Sequence, residues 1–167
     1  TEWNYDIHVY PKNIIDEDIT KTINDQKPYY KVGDEVSYKI SATVKEEMRA
    51  PVGGEYGNFI ITDDLDTRLT FTSLTVQGNK GSGALADLSD TTDYTLTRTG
   101  QLVTVAFDKV QTEKLFDAEI TRVERTLKAT VNEEAYAGMT PEIINDALLE
   151  WKRETDSDYT EAEPPIK

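Results

Sequence analysis

The chain has 167 residues, enough for one sizeable domain, and its 18 Lys and Arg against 32 Asp and Glu give a formal charge of −14. Nucleic acid is excluded as a partner, because phosphate binding needs clustered cations. Cysteine is absent from the sequence, so disulfides, thiolate catalysis and cysteine-based metal sites are excluded as well.

The first twelve residues contain a spaced pattern, W-x3-[VI]-x-V-Y-P-K, formed by Trp3, Ile7, Val9, Tyr10, Pro11 and Lys12. Pro11 keeps the local backbone extended, and we expect Lys12 to be exposed and able to reach another molecule. The alternative is a chance match, in which an ordinary strand ends in Tyr-Pro-Lys. His8 is the only histidine and alternates away from its apolar neighbours, so histidine-based catalysis has no support.

A short strand is predicted over residues 18–24, with Lys21 on the same face as Ile19 and Ile23. If that face is the core face, Lys21 is buried, and burial disfavours the charged form of an amine. The alternative is that both isoleucines face outward, or that the strand is an edge with an exposed lysine. Lys31 is then the fallback amine.

Period-two alternation predicts most of the remaining elements. Strands are expected at 35–44, at 58–63, from Leu69 to Val76, at Tyr94 and Leu96, at 103–107 and at 126–131. Glycines 78, 81 and 83 are expected to close the third of these strands, and Leu127, Ala129 and Val131 are expected to face inward in the last. Several short strands separated by turn residues predict an all-β, immunoglobulin-like antiparallel β-sandwich.

Two segments have helical features. Residues 111–120 have the composition of a short crossing helix. Residues 140–151 are ambiguous, because Thr140 and Pro141 suit a helix start, whereas a strand places Asn145, Ala147 and Trp151 on one face. The local pattern slightly favours a helix in the second segment.

Two polar residues are candidates for the core. Asp63 continues the inward face of Phe59 and Ile61, although a solvated turn aspartate is the alternative. Asn145 faces inward if its segment is a strand and is exposed if the segment is a helix. Two acidic sets offer oxygen ligands for calcium, but solvated turns are commoner, so no metal is predicted; the sets are Asp63, Asp64 and Asp66, and Asp87, Asp90 and Asp93.

Residues 59–65 (FIITDDL), residues 69–71 (LTF) and the ending NDALL from Asn145 resemble the isopeptide-forming, collagen-adhesin A-type domains of Gram-positive pilins. The opening strand with Lys21 and the strand at 32–38 fit the same pattern, and the first twelve residues resemble the pilin motif of backbone subunits. The resemblance covers nearly the whole chain. It implies that 140–151 is the last strand of the sandwich, and we adopt that prediction.

The resemblance also implies a spontaneous amide bond between the Lys21 amine and the side-chain carbonyl of Asn145, with loss of ammonia. Asp63 is implied as the acid that hydrogen-bonds to the carbonyl oxygen and relays protons. Lys12 is implied as the nucleophile that a sortase joins to the C-terminal threonine of another subunit. Apart from one self-directed turnover the protein is not expected to be an enzyme, and no cofactor is expected.

The predicted organisation is a pilin-motif segment at 1–13, an isopeptide-forming domain at 14–158 and a linker at 159–167, all part of a longer protein. We expect an extracellular, cell-wall-anchored pilus, with other copies of the chain and a pilus sortase as partners. Minor pilins and the host surface are further candidates, and neither nucleic acid binding nor membrane insertion is expected. The alternatives are a ligand-binding adhesin module and a calcium-stabilised domain.

Overall fold

A computed structural model describes residues 8–11, 19–27, 30–134, 142–152 and 160–162, of which 8–11, 142–152 and 160–162 are described by their backbone course. The strands are β1 His8–Pro11, β2 Ile19–Asn24, β3 Glu35–Thr43, β4 Asn58–Asp64, β5 Leu69–Lys80, β6 Leu85–Leu88, β7 Thr95–Thr99, β8 Leu102–Phe107, β9 Ile120–Val131, β10 Glu142–Lys152 and β11 Thr160–Ala162. The helices are a 3-10 turn at Glu46–Met48 and α1 at Lys109–Asp117.

The strands form two sheets. One has the order β2-β3-β9-β5-β6, and the other has the order β1-β10-β4-β8-β7, with β11 also paired to β10. Among the described strands, β1 pairs with β10 in parallel and the other strand pairs are antiparallel. The predicted immunoglobulin-like β-sandwich is therefore confirmed, and so is the strand predicted over residues 140–151 for the part that the structure describes, from residue 142 onward.

The core between the sheets consists of two apolar clusters. The first is built around Phe59 and Phe107, whose rings stack with centroids 4.4 Å apart. The second is built around Tyr38 and Leu127. The alternating strand faces predicted from the sequence supply both clusters, since Val36, Tyr38, Ile40 and Ala42 of β3 are all buried.

Several element boundaries differ from the sequence prediction, and three of them are informative. Strand β5 continues through Gly78 and ends at Lys80. Gly78 is accommodated within the strand because the Ile120 side chain packs directly against it, where a Cβ would lie only 2.5 Å away. Strand β9 begins at Ile120, six residues before the predicted start. Helix α1 begins at Lys109, where the side chains of Asp108 and Gln111 form a capping box.

Candidate functional site: a charged layer in the core

Lys21, Asp63 and Arg125 bring three ionisable side chains together between the sheets. The side chains of Lys21 and Asp63 are fully buried, and that of Arg125 is 1% exposed. The residues two positions before them in the chain, Ile19, Ile61 and Val123, belong to the first apolar cluster. Of the residues two positions after them, Leu65 and Leu127 belong to the second cluster and Ile23 packs against it. The three residues therefore form a charged layer that separates the two clusters.

The register of the first sheet explains why two basic side chains meet one carboxyl group. Lys21 of β2 pairs with Ile40 of β3, and Ile40 pairs with Arg125 of β9, so the three stand in one row across the sheet. Lys21 and Arg125 are thus two strands apart, roughly 10 Å between backbones. Both side chains reach Asp63, which projects from β4 of the opposite sheet.

Arg125 and Lys21 differ in how they contact Asp63. Nη1 of Arg125 donates a hydrogen bond to Oδ2 of Asp63 over 2.7 Å. Nζ of Lys21 lies 3.6 Å from the same oxygen, which is an ion-pair distance but too long for a hydrogen bond. Asp63 is therefore bound to the guanidinium more directly than to the amine.

The layer also contains polar atoms without hydrogen bonds. Within the part of the chain that the structure describes, Oδ1 of Asp63 and Nε and Nη2 of Arg125 are buried and have no hydrogen-bond partner. A buried donor or acceptor without a partner is costly, so such atoms indicate a site with a further chemical role or partner.

Tyr38 forms one wall of the site. Nζ of Lys21 lies 4.9 Å from the centroid of the Tyr38 ring. Burial, and after it the charge of Asp63, raises the pKa of Tyr38 well above its usual value of 10, so its phenol stays neutral. Among the described atoms its hydroxyl has no hydrogen-bond partner.

Asn145, the predicted acceptor of the amine, lies on β10 next to Asp63's strand. Asp63 pairs with Ala147, so Asn145 lies two residues from the position opposite Asp63, with the same alternation parity. Its backbone also pairs with Pro11 of β1. Its side chain, together with Trp3, Ile7 and Lys12, lies outside the described residues, and of the predicted motif only Val9, Tyr10 and Pro11 fall on a described strand.

Arg125 is the site residue that the sequence reasoning missed. The signal was present, because Leu127, Ala129 and Val131 were predicted to face inward and the same parity extends back to Arg125 and Val123. Because the predicted strand starts at residue 126, the prediction does not assign Arg125 to the inward face.

The other predicted residues lie elsewhere. Lys31 donates its backbone N–H to Asp34 at the turn before β3 and does not contribute to the charged layer. Asp64 is exposed, and Asp66 binds Arg68. Within the described residues, no three acidic or histidine side chains are grouped as a metal site would require, and no helix there has the length and apolarity needed to cross a membrane.

Two facing sheets with alternating inner faces and a buried amine, acid and guanidinium between them define an immunoglobulin-like β-sandwich with a charged core. Residues 16–156 match the family model of the Sgo0707 N2 domain, and the chain belongs to that family. The predicted resemblance to pilins is confirmed by this match and by the fimbrial relatives.

One such relative is the fimbrial subunit type 2 of Actinomyces naeslundii, which is 32% identical over 98% of this chain. The match spans only 27% of that subunit. Among solved structures, the Actinomyces fimbrial adhesin FimA is 26% identical with a TM-score of 0.56, covering 89% of this chain and 51% of that chain. The full-length major pilin SpaD of Corynebacterium diphtheriae, at 20% identity and TM-score 0.62, covers 87% and 32% and shares the fold.

Proposed function

We propose that this chain is part of a structural subunit of a surface pilus, and that its sandwich is closed by an amide bond between Lys21 and Asn145. The observation that carries the proposal is the placement of a buried amine 3.6 Å from a buried carboxyl group, beside the strand that carries Asn145. The similarity to fimbrial subunits supports the structural role.

The proposed bond forms by attack of the Lys21 amine on the side-chain carbonyl carbon of Asn145. The new C–N bond forms as the amine loses a proton to Asp63, and Asp63 then passes that proton to the departing amide nitrogen. The old C–N bond breaks and ammonia leaves, so atoms and protons balance. Packing holds the reactants together, which is worth effective concentrations of about 10⁵–10⁸ M in well-oriented reactions.

The location of the bond gives it a mechanical role. Lys21 lies on the edge strand of the first sheet, and Asn145 lies on β10 of the other sheet. An amide between them joins the first strand of the domain to its last, so that tension applied at the two ends bypasses the remaining strands. This arrangement suits a shaft that carries load.

The first experiment is the intact mass of the folded protein. We expect a deficit of one ammonia relative to the sequence mass, abolished by Lys21→Ala, Asn145→Ala or Asp63→Ala. Lys31→Ala is the matched control and should keep the deficit. A wild-type mass equal to the sequence mass would refute the amide bond.

Lys12 is proposed as the residue through which a sortase links one subunit to the next. In the full-length subunit, Lys12→Ala should abolish covalent polymers while the mass deficit and folding are kept, and Lys27→Ala should polymerise normally. Unchanged polymers in Lys12→Ala would reject the shaft role. That outcome would favour an adhesin module, the alternative supported by the similarity to a fimbrial adhesin.

A further inference from the structure

Arg125 is a buried cation for which the amide-forming reaction proposed above has no assigned part. Its Nη1 binds Oδ2 of Asp63 at 2.7 Å, and its side chain is 1% exposed. A guanidinium does not lose its proton in a protein, so this site always contains one positive charge. The protonation states of Lys21 and Asp63 therefore depend on the fixed positive charge of Arg125.

The lowest-cost state of a buried site has no net charge. With Arg125 positive, neutrality is reached when Asp63 is a carboxylate and Lys21 is an uncharged amine. A protonated Asp63 beside a neutral Lys21 leaves one positive charge, and so does a carboxylate beside a charged Lys21. Without Arg125, the neutral ion pair of Lys21 with Asp63 becomes available, and its ammonium has no lone pair with which to attack.

We propose that Arg125 is a positioning residue that holds Asp63 as the carboxylate and thereby keeps Lys21 in its neutral, nucleophilic form. The inference rests on the proposed amide chemistry. It deepens that chemistry by giving Asp63 the role of a carboxylate base that takes the proton of the attacking amine, in place of the proton-donating acid that the resemblance to pilin domains implied. Asp63 returns the proton to the leaving nitrogen and ends as the carboxylate bound to Arg125.

The product state supports the same assignment. Once Lys21 has become an amide it can no longer be a cation, and a carboxylate left alone in the core would be strongly unfavourable. The bond from Arg125 gives Asp63 a permanent partner in both reactant and product. The site is therefore neutral before and after the reaction.

Among the described residues, few other charged or titratable groups lie near the three. Strand β3 contributes Tyr38, on which Tyr30, Asp66 and Arg68 also act electrostatically. Strands β5 and β8 contribute the apolar residues Val76, paired with Arg125, and Val103, paired with Asp63. Tyr38 remains neutral as argued above, so Arg125 is the permanent cation of the layer among the described residues. Strand β10 contributes the position of Asn145.

The test measures the protonation state of Lys21 directly. In Asn145→Ala, which cannot form the amide, selectively ¹³C-labelled lysine should show Lys21 as the neutral amine at pH 7, its signal assigned by its loss in Lys21→Met. Adding Arg125→Met should move the Lys21 titration midpoint upward and make the amine charged at pH 7. Adding Arg122→Met, the same change on the outer face of β9, should leave the midpoint where it was.

A second readout is the rate of ammonia loss in Arg125→Met with Asn145 intact. The rate at pH 7 should fall about tenfold for each unit by which the midpoint rises, and it should recover at higher pH. A purely structural role for Arg125 would lower the melting temperature without moving the midpoint, and that result would overturn the inference.

The Asn145→Ala protein also decides the matter if Arg125→Met does not fold, because a charged Lys21 at pH 7 beside Arg125 contradicts the proposal outright. Failure of the underlying amide proposal has a different signature. It is a wild-type mass without the ammonia deficit, which leaves the lysine titration free to confirm or reject the role of Arg125.

Discussion

Two Arg–Asp pairs of this protein have the same bond length and opposite surroundings. Arg125–Asp63 in the core and Arg68–Asp66 near the surface both have N–O distances of 2.7 Å. The first pair is at most 1% exposed and shares its carboxylate with Lys21, whereas the side chains of the second are 16% and 23% exposed. Contact geometry alone therefore does not set the role of an ion pair, because solvent sets the cost of breaking it.

Removing the buried carboxylate should have the largest effect on stability. Asp63→Ala leaves Arg125 and Lys21 without an anion in the core, and we expect it to unfold about 3–5 kcal/mol more easily than Asn145→Ala. Both variants lack the proposed amide, so the difference reports the charged layer alone. Chemical denaturation is the measurement, and equal stability within about 1 kcal/mol would mean that the core tolerates Arg125 without its carboxylate partner.

Ile61→Ala separates charge from packing on the same strand face. Ile61 lies two residues from Asp63, is fully buried and belongs to the first apolar cluster. In the Asn145→Ala background we expect a loss of about 3 kcal/mol from the cavity. With Asn145 intact, the ammonia deficit should persist, as measured by intact mass. Loss of the deficit would show that general packing, and not the charged layer alone, governs bond formation.

Asp66→Asn tests the outer pair and its pH dependence. Its hydrogen bonds from Arg68 hold the pKa of Asp66 below its usual value, so the folded state favours the carboxylate. The stabilisation is present above the unfolded-state pKa and is lost as pH falls through the lower folded-state pKa. We expect a cost of about 0.5–1 kcal/mol at pH 7 in the Asn145→Ala background. Denaturation curves should converge with those of the parent at acidic pH, and a pH-independent gap would contradict this.

Lys109→Met should have the smallest effect. Lys109 pairs with Glu55 at 2.9 Å, but the side chains are 47% and 55% exposed. Lys109 also opens α1, where a cation opposes the helix dipole. Replacing Lys109 should change the free energy of unfolding by less than about 0.5 kcal/mol. A larger cost would show that solvent exposure does not by itself make an ion pair weak, and so would not explain why the two Arg–Asp pairs differ in their contribution to stability.

Part of the candidate site was predictable from local pattern. Lys21 and Asp63 were placed on inward faces by the isoleucines and aromatics around them, because side chains alternate along a strand whatever the strand pairs with. Arg125 follows the same parity. It was missed because the strand was predicted to begin at Thr126, and only packing against the carboxyl group of the opposite sheet makes the burial of an arginine tolerable.

The sequence by itself determined the class of fold, the alternating faces of β3 and β4, and the helix after β8, since these depend on periodicity and capping within a few residues. Tertiary structure decided which faces met. The row from Lys21 through Ile40 to Arg125 exists because β3 pairs with β2 on one side and with β9 on the other. The parallel pairing of β1 with β10 likewise joins residues more than 130 positions apart. Such contacts depend on the register between distant strands, which no local pattern encodes.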